Sequence, residues 1–452
     1  MKILNFEAKN VHKLLNYDIK LNERLTFLIG INGSGKTSVL KLILGLISPS
    51  YNYLSSIDHD FAKLTCADEN GKLIEISSTK INELKYEIVL AKEGEEPVIG
   101  KLNSNVRNED EEFDYEEYQK KSNRILQMFD SQDVVKEIKQ LSTPLFLGLD
   151  RRVYEGQQID KIHRYSITRR RYRNYPKNDP LNISLIDIQE VIYDYFRLIA
   201  SKQPQINEEF KNKILHQSFE FIQTREFNVW KDGRELSEKK EKALEAFTNL
   251  NVDGITESVN NFFELLSKTL DQFTEVQKKR DGKKELDPDD IDTIQKWFNN
   301  QPQLRKIDEL IEYNQSYQNE IENLFEPIEK AKNIINKFFS ESKKELIIDA
   351  QGELKIKFKN DNIVNIYELS SGEKQIVTML GHLIFFVEKY KKESGIFIID
   401  EPEVSLHLAW QEIFVEAILN ASPNTQFILA THSPAIIGDT SEDLCNDLAK
   451  LN

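Results

Sequence analysis

The chain alternates between stretches of different hydrophobic period. Leu25–Ile29 (LTFLI) is a continuous apolar run, the pattern of a strand buried on both faces. It leads into Gly30-Ile31-Asn32-Gly33-Ser34-Gly35-Lys36-Thr37 and then SVLKLILGLI, whose Val39, Leu40, Ile43, Leu44 and Ile47 recur at helical spacing. Ser48-Pro49 predicts where that helix stops. Residues 50–100 mix short apolar stretches with turn residues, and KLTCADENGKLIEISS predicts a hairpin around Glu69-Asn70-Gly71. PLFLGL at Pro144–Leu149 predicts another buried strand, ending at Asp150-Arg151-Arg152. From Ile183 to Ser340 apolar residues fall three and four apart, which predicts helices. No heptad there is sustained enough for an extended coiled coil. Strands are expected again at Lys344–Ile348 and Lys355–Phe358. Two more apolar runs, Ile396–Ile399 and Phe427–Ala430, each end in polar residues.

This order predicts an α/β fold. An N-terminal lobe would cover residues 1–150, a mainly helical insertion 151–343, and a C-terminal lobe 344–452. Composition narrows the picture. In 452 residues, 39% are hydrophobic, and 25 Phe with 16 Tyr are ample for a core, which argues against wholesale disorder. The net charge of −15 excludes a protein that binds polyanions over its whole surface, so any nucleic-acid contact must be local. Residues 109–117 are an acidic stretch, read as a solvated loop. Lys161–Lys177 is the opposite: seven cations, no acid and three tyrosines, able to track phosphates and stack bases. Arg169, Arg170, Arg171 and Arg173 are its centre, a candidate nucleic-acid or partner contact. Two distant cysteines, Cys66 and Cys445, fit neither a disulfide framework nor a zinc finger. The N-terminus has no apolar signal core, and no run approaches the roughly 20 apolar residues of a membrane span. A soluble, cytoplasmic protein with no membrane partner is expected.

Four motifs carry chemistry. Gly30–Thr37 fits G-x-x-x-x-G-K-[ST] between a predicted strand and a predicted helix. The backbone of Gly30, Asn32, Gly33, Ser34, Gly35, Lys36, Thr37 and Ser38 could wrap phosphate oxygens at a helix N-terminus. Lys36 would reach the β- and γ-phosphates, and Thr37 would offer its hydroxyl to Mg²⁺. Asp400 and Glu401 end the Ile396–Ile399 strand; Asp400 suits a water-mediated Mg²⁺ contact and Glu401 suits polarising an attacking water. Leu369-Ser370-Ser371-Gly372-Glu373-Lys374-Gln375 makes a second anion-binding helix start. Thr431-His432-Ser433-Pro434 follows the Phe427–Ala430 strand, and His432 suits a γ-phosphate contact.

Together these motifs resemble the ATP-binding-cassette class of P-loop ATPases. Gly30–Thr37 is similar to its Walker A loop, LSSGEKQ to its signature, IFIIDEPEVSLH to Walker B with the D-loop, and ATHSP to its switch-histidine motif. The signature precedes Asp400 by 30 residues, and His432 follows Asp400 by 32, in the family's order. The resemblance covers roughly residues 1–150 and 345–440. It implies ATP and Mg²⁺ as cofactors and an ATPase head built of a P-loop core sheet and an N-terminal β-subdomain. It also implies head-to-tail dimerisation in which Ser370, Ser371, Gly372 and Glu373 of one copy complete the ATP site of another. The segment Lys9–Lys13 resembles the stretch that touches nucleotide in the SMC, RecF and OLD group. The class also uses a glutamine loop, but no Gln stands at Gly148–Arg151, and Gln157 is the first after it.

More than 330 residues separate Thr37 from Leu369, too many for a transporter cassette. The chain ends 20 residues after His432, so no OLD-type nuclease domain is expected. The resemblance narrows to compact SMC-like ATPases, most like the PtuA group of the Septu antiphage systems and related retrons. PtuA-like ATPases work with PtuB, so the resemblance implies an HNH-type nuclease partner that the ATPase scaffolds and restrains. A RecF-like repair ATPase and a mainly structural ATP-binding oligomer with little turnover remain the alternatives.

Overall fold

The computed structural model describes residues 1–82, 85–103, 126–141, 144–148, 153–155, 180–219, 233–248, 254–282, 285–390 and 395–450. Two compact units make up the chain: Met1–Phe196 with Pro327–Asn452, and Arg197–Glu326.

Among the described residues the first unit holds three sheets. Its core sheet runs in the order Cys445–Asp447, Leu25–Ile29, Gln426–Ala430, Ile396–Asp400, Leu145–Leu147, Val153–Glu155. Every neighbouring pair is parallel except the last. Parallel strands carry helices or sheets on both faces, which is why these read as unbroken apolar runs. Ile396–Asp400 and Gln426–Ala430 are buried at every position. The register aligns Asp400 with Ala430, and Ala430 with Leu28. Three loops far apart in sequence therefore leave the same edge side by side, where ligands bind in open α/β sheets.

A six-stranded antiparallel sheet is the second layer, ordered Leu15–Lys20, Lys2–Val11, Phe61–Ala67, Leu73–Asn82, Lys85–Lys92, Val98–Asn103. Phe61–Ala67 alternates buried and half-buried positions, as a sheet with one covered face must. The predicted hairpin is present, with Ala67 paired to Leu73 across Asp68–Lys72. Helix Lys36–Ile47 packs against both sheets. Nine of its twelve residues are buried, the signature of a helix enclosed on all sides. Cys66 is fully buried in the same core and both cysteines are free. A three-stranded antiparallel sheet, Lys344–Ile348, Leu354–Phe358 and Ile363–Asn365, precedes helix Ser371–Tyr390.

The second unit is helical, as the spacing predicts. Its core gathers Phe263, Leu266, Phe273, Leu304 and the fully buried Trp297, which stacks on Phe273 at 5.5 Å. Helix Pro288–Phe339 begins on a reciprocal cap: Asp290 N–H donates to the Asp287 carboxylate at 2.9 Å and Asp287 N–H to that of Asp290 at 3.1 Å. Pro288 is the first residue of that helix, where its missing N–H does no harm. The helix runs 52 residues. Among the described residues, no helix is long and apolar enough to cross a membrane.

Candidate nucleotide site

Glycine at three positions shapes the loop after Leu25–Ile29. Gly30, Gly33 and Gly35 have φ of 147°, 86° and 83°, in the region side chains avoid. A Cβ on Gly35 would lie 2.0 Å from the Tyr17 hydroxyl, while a Cβ on Gly33 would meet nothing within 4 Å. One glycine thus allows close packing beneath the loop and the other keeps its outer side open. Tyr17 Oη donates to the Ser34 carbonyl at 2.8 Å and braces the loop from below. The helix that follows has no acid in its first turn to offset its positive end.

Lys36 is buried, and its amine donates to the carbonyls of Gly30 at 3.0 Å and Ile31 at 3.4 Å. Burial holds its pKa below the usual lysine value, against the opposing pull of Glu401, Asp400 and Glu403. Ser34 Oγ is buried without a hydrogen-bond partner. Asp400 is 3% exposed at the end of its strand. Burial pushes its carboxyl above the usual range, although the Thr37 hydroxyl bonds to it. Its Oδ1 has no partner. Among the described residues no group of three His, Cys, Asp or Glu gathers as a metal site. One carboxylate beside one hydroxyl is still the donor set of Mg²⁺, which brings phosphates and waters of its own. The unpartnered Ser34 Oγ and Asp400 Oδ1, the open space at Gly33 and the buried amine fit a nucleotide with its metal.

Glu401 has φ of 48°, a conformation that costs a non-glycine residue about 1–2 kcal/mol. It is held there by its N–H, which donates to Ala430 O at 2.8 Å. The next turn carries Glu403, whose carboxylate accepts from the Thr431 hydroxyl at 2.8 Å and from His432 N–H at 2.7 Å. His432 itself is exposed. Hydrophobic period and motif spacing do not single out Glu403. The one signal was its place in EPE, two residues beyond Glu401.

The predicted signature opens helix Ser371–Tyr390. Ser370 N–H donates to Glu373 at 2.8 Å, Glu373 N–H donates back to Ser370 Oγ at 3.4 Å, and Lys344 bridges the same carboxylate at 2.8 Å. Burial alone would raise the Glu373 pKa, but Lys344 and Ser370 outweigh it and hold it low. Gln375 donates to Pro402 O at 3.4 Å. Ser370, Ser371, Gly372 and Glu373 therefore lie against the turn after Asp400. None of them hydrogen-bonds to residues 30–38 among the described residues. The Lys9–Lys13 stretch does reach the phosphate loop: His12 Nε2 lies 2.9 Å from Ser38 Oγ, at a turn where His12 and Lys13 have φ of 53° and 63°. Arg169, Arg170, Arg171 and Arg173, with Asp150, Arg151 and Gln157, lie outside the described residues.

The family model described as "AAA domain, putative AbiEii toxin, Type IV TA system" matches residues 163–438, more than half of the chain. The chain belongs to this AAA-domain family. The ABC transporter model matches residues 13–145, the stretch that holds the phosphate loop. Among curated proteins, the Retron Vc95 probable ATPase of Vibrio cholerae is 36% identical over 94 residues, 19% of this chain and 18% of that protein. Endonuclease GajA of Bacillus cereus is 28% identical over 114 residues, 23% of this chain and 20% of that one. RecF of Acholeplasma laidlawii is 32% identical over 99 residues, 22% and 26% respectively. The matched stretches span about a fifth to a quarter of these relatives. The Smc head domain of Pyrococcus furiosus aligns over 96% of this chain and 91% of its own, at 14% identity and a TM-score of 0.35. The fold is α/β, with a sheet core and a large helical segment.

Proposed function

We propose that this family member binds ATP with Mg²⁺ on the loop Gly30–Ser38 and hydrolyses it when a second copy closes the site. The observation that carries this is the meeting of three elements at the ends of Leu25–Ile29 and Ile396–Asp400, parallel strands on either side of Gln426–Ala430. These are a buried amine, Lys36, a hydroxyl–carboxylate pair, Thr37 with Asp400, and a second carboxylate, Glu401. When bound, ATP supplies the scissile phosphoanhydride, and Mg²⁺ the charge that offsets its oxygens. Backbone N–H groups of the loop and the Lys36 amine hold phosphate oxygens. Thr37 Oγ1 and Asp400 Oδ1 would hold the metal or its water. Glu401 accepts the proton of the attacking water, and the His432 ring steadies the phosphate from the neighbouring loop. Ser370, Ser371 and Gly372 of a second copy cover the opposite side. Glu373, committed to Lys344 and Ser370, shapes that signature. Lys36→Ala should abolish binding of a fluorescent ATP analogue by otherwise folded protein, and unchanged affinity would contradict the assignment.

In this reading residues 1–150 and 344–452 form the head and 151–343 the insertion. The stretches similar to a retron ATPase and to the endonuclease GajA support a role in antiphage defence. There the ATPase would act as the PtuA-like partner that scaffolds and restrains a separate HNH-type nuclease. Co-purification with a nuclease encoded beside the gene tests this. Absence of any such neighbour, with ATP-dependent binding to gapped DNA, would favour the second reading, a RecF-like repair ATPase, which the RecF match supports. Charge reversal of Arg169, Arg170, Arg171 and Arg173 should abolish DNA or nuclease binding while leaving ATP binding intact.

A further inference from the structure

We propose that Glu403 is a positioning residue for His432, acting through a closed ring of hydrogen bonds that locks the turn after Asp400 to the loop after Ala430. Both carboxylate oxygens are engaged by consecutive residues: Oε2 by the Thr431 hydroxyl at 2.8 Å, Oε1 by His432 N–H at 2.7 Å. Ser433 N–H donates to Thr431 Oγ1 at 3.0 Å, and Ser433 Oγ donates to Gln411 Oε1 at 2.6 Å. Gln411 Nε2 donates to Leu406 O at 2.7 Å, and Leu406 N–H returns to Glu403 O at 3.0 Å. The circuit therefore starts and ends on Glu403.

A second stitch crosses the same seam in the opposite sense, from Glu401 N–H to Ala430 O at 2.8 Å. Thr431 is fully buried and its own N–H donates to Leu28 O at 3.2 Å, so one side of the loop is anchored in the core sheet. The imidazole of His432, by contrast, is exposed and makes no hydrogen bond among the described residues. Glu403 fixes the peptide plane of His432 and so the point from which the ring departs, leaving its χ angles to choose among rotamers. Carboxylate chemistry suits the task. An ionised glutamate only accepts, so it can take two donors at once, and charge-assisted bonds are the strong ones. Gln would have to turn an amide N–H toward one of those donors. Asp would be one methylene short of reaching both.

The catalytic meaning of this ring rests on the ATPase reading above, but the ring can be measured without turnover. Residue-resolved amide exchange of the full chain, without nucleotide, should show His432 N–H exchanging about tenfold faster or more in Glu403→Ala. Glu403→Gln, which keeps the volume, should show the same direction if the alanine variant folds poorly. Unchanged exchange at His432 in the folded variant would overturn the proposal. Steady-state ATP turnover supplies the second arm. Glu403→Gln should lower kcat with KM within about twofold, and should add nothing further in a His432→Ala background. Losses that simply multiply would overturn the link to His432. A wild-type protein without turnover would remove the ATPase reading, and the exchange experiment would still decide the ring.

Discussion

A Cβ on Gly372 would lie 2.4 Å from the carbonyl oxygen of Ser405. The start of the predicted signature thus rests directly on the backbone of the turn that follows Glu401, with Trp410 3.5 Å away on the same side. Neither neighbour is the loose end of a flexible side chain. Gly372→Ala must therefore push the turn or the helix start aside, at a cost of about 1–3 kcal/mol. Urea denaturation should show that loss together with weaker ATP-dependent self-association. An unchanged midpoint would mean that the turn yields freely.

Tyr17 and Gly35 make a second tight pair, beneath the phosphate loop. Tyr17→Phe removes the bond to Ser34 O, worth about 1 kcal/mol. If all of it falls on the loop, nucleotide affinity should drop about fivefold, measured by titration with a fluorescent ATP analogue. Gly35→Ala should be far worse, because both its φ and the Tyr17 hydroxyl oppose a side chain. Equal affinities in wild type and Tyr17→Phe would show that the strut is idle.

The core sheet was legible because its strands are buried on both faces and so read as LTFLI, IFIID and QFILA. The helix after Gly35 was legible for the same reason. Lys85–Lys92 and Val98–Asn103 were not, since the first interleaves Lys and Glu with apolar residues and the second is short and broken by Gly100 and Lys101. Lys36, Thr37, Asp400 and Glu401 were legible because fixed spacing on strand ends is enough to bring them together. Glu403 and Gln411 were hidden: their role depends on the register that sets Asp400 beside Ala430, which no local pattern reveals. The fate of Glu373 depends likewise on Lys344, twenty-nine residues earlier and in a separate sheet.

His59 should give the stability a measurable pH dependence. It is fully buried and stacked on Tyr86 at 4.7 Å. Its Nδ1–H donates to Ile57 O at 2.7 Å, so Nε2 accepts from Ser78 Oγ at 3.0 Å in the neutral ring. Burial holds its pKa below the ordinary histidine value. Below about pH 6.5 the unfolded chain takes up a proton that the folded ring refuses. Stability present above that pH is lost as pH falls toward the depressed folded value, and then levels off. His59→Gln should show a shallower decline between pH 7.5 and 5 in urea denaturation. Parallel profiles would place the pH dependence elsewhere.

The central claim is that Glu401 stands at a working ATP site, and phosphate release by the purified chain tests it most directly. With Mg²⁺, the wild type should turn ATP over, and Glu401→Gln should lower kcat about 100-fold or more while still binding ATP. Turnover that survives Glu401→Gln, or a wild-type protein that fails to bind ATP, would contradict the account.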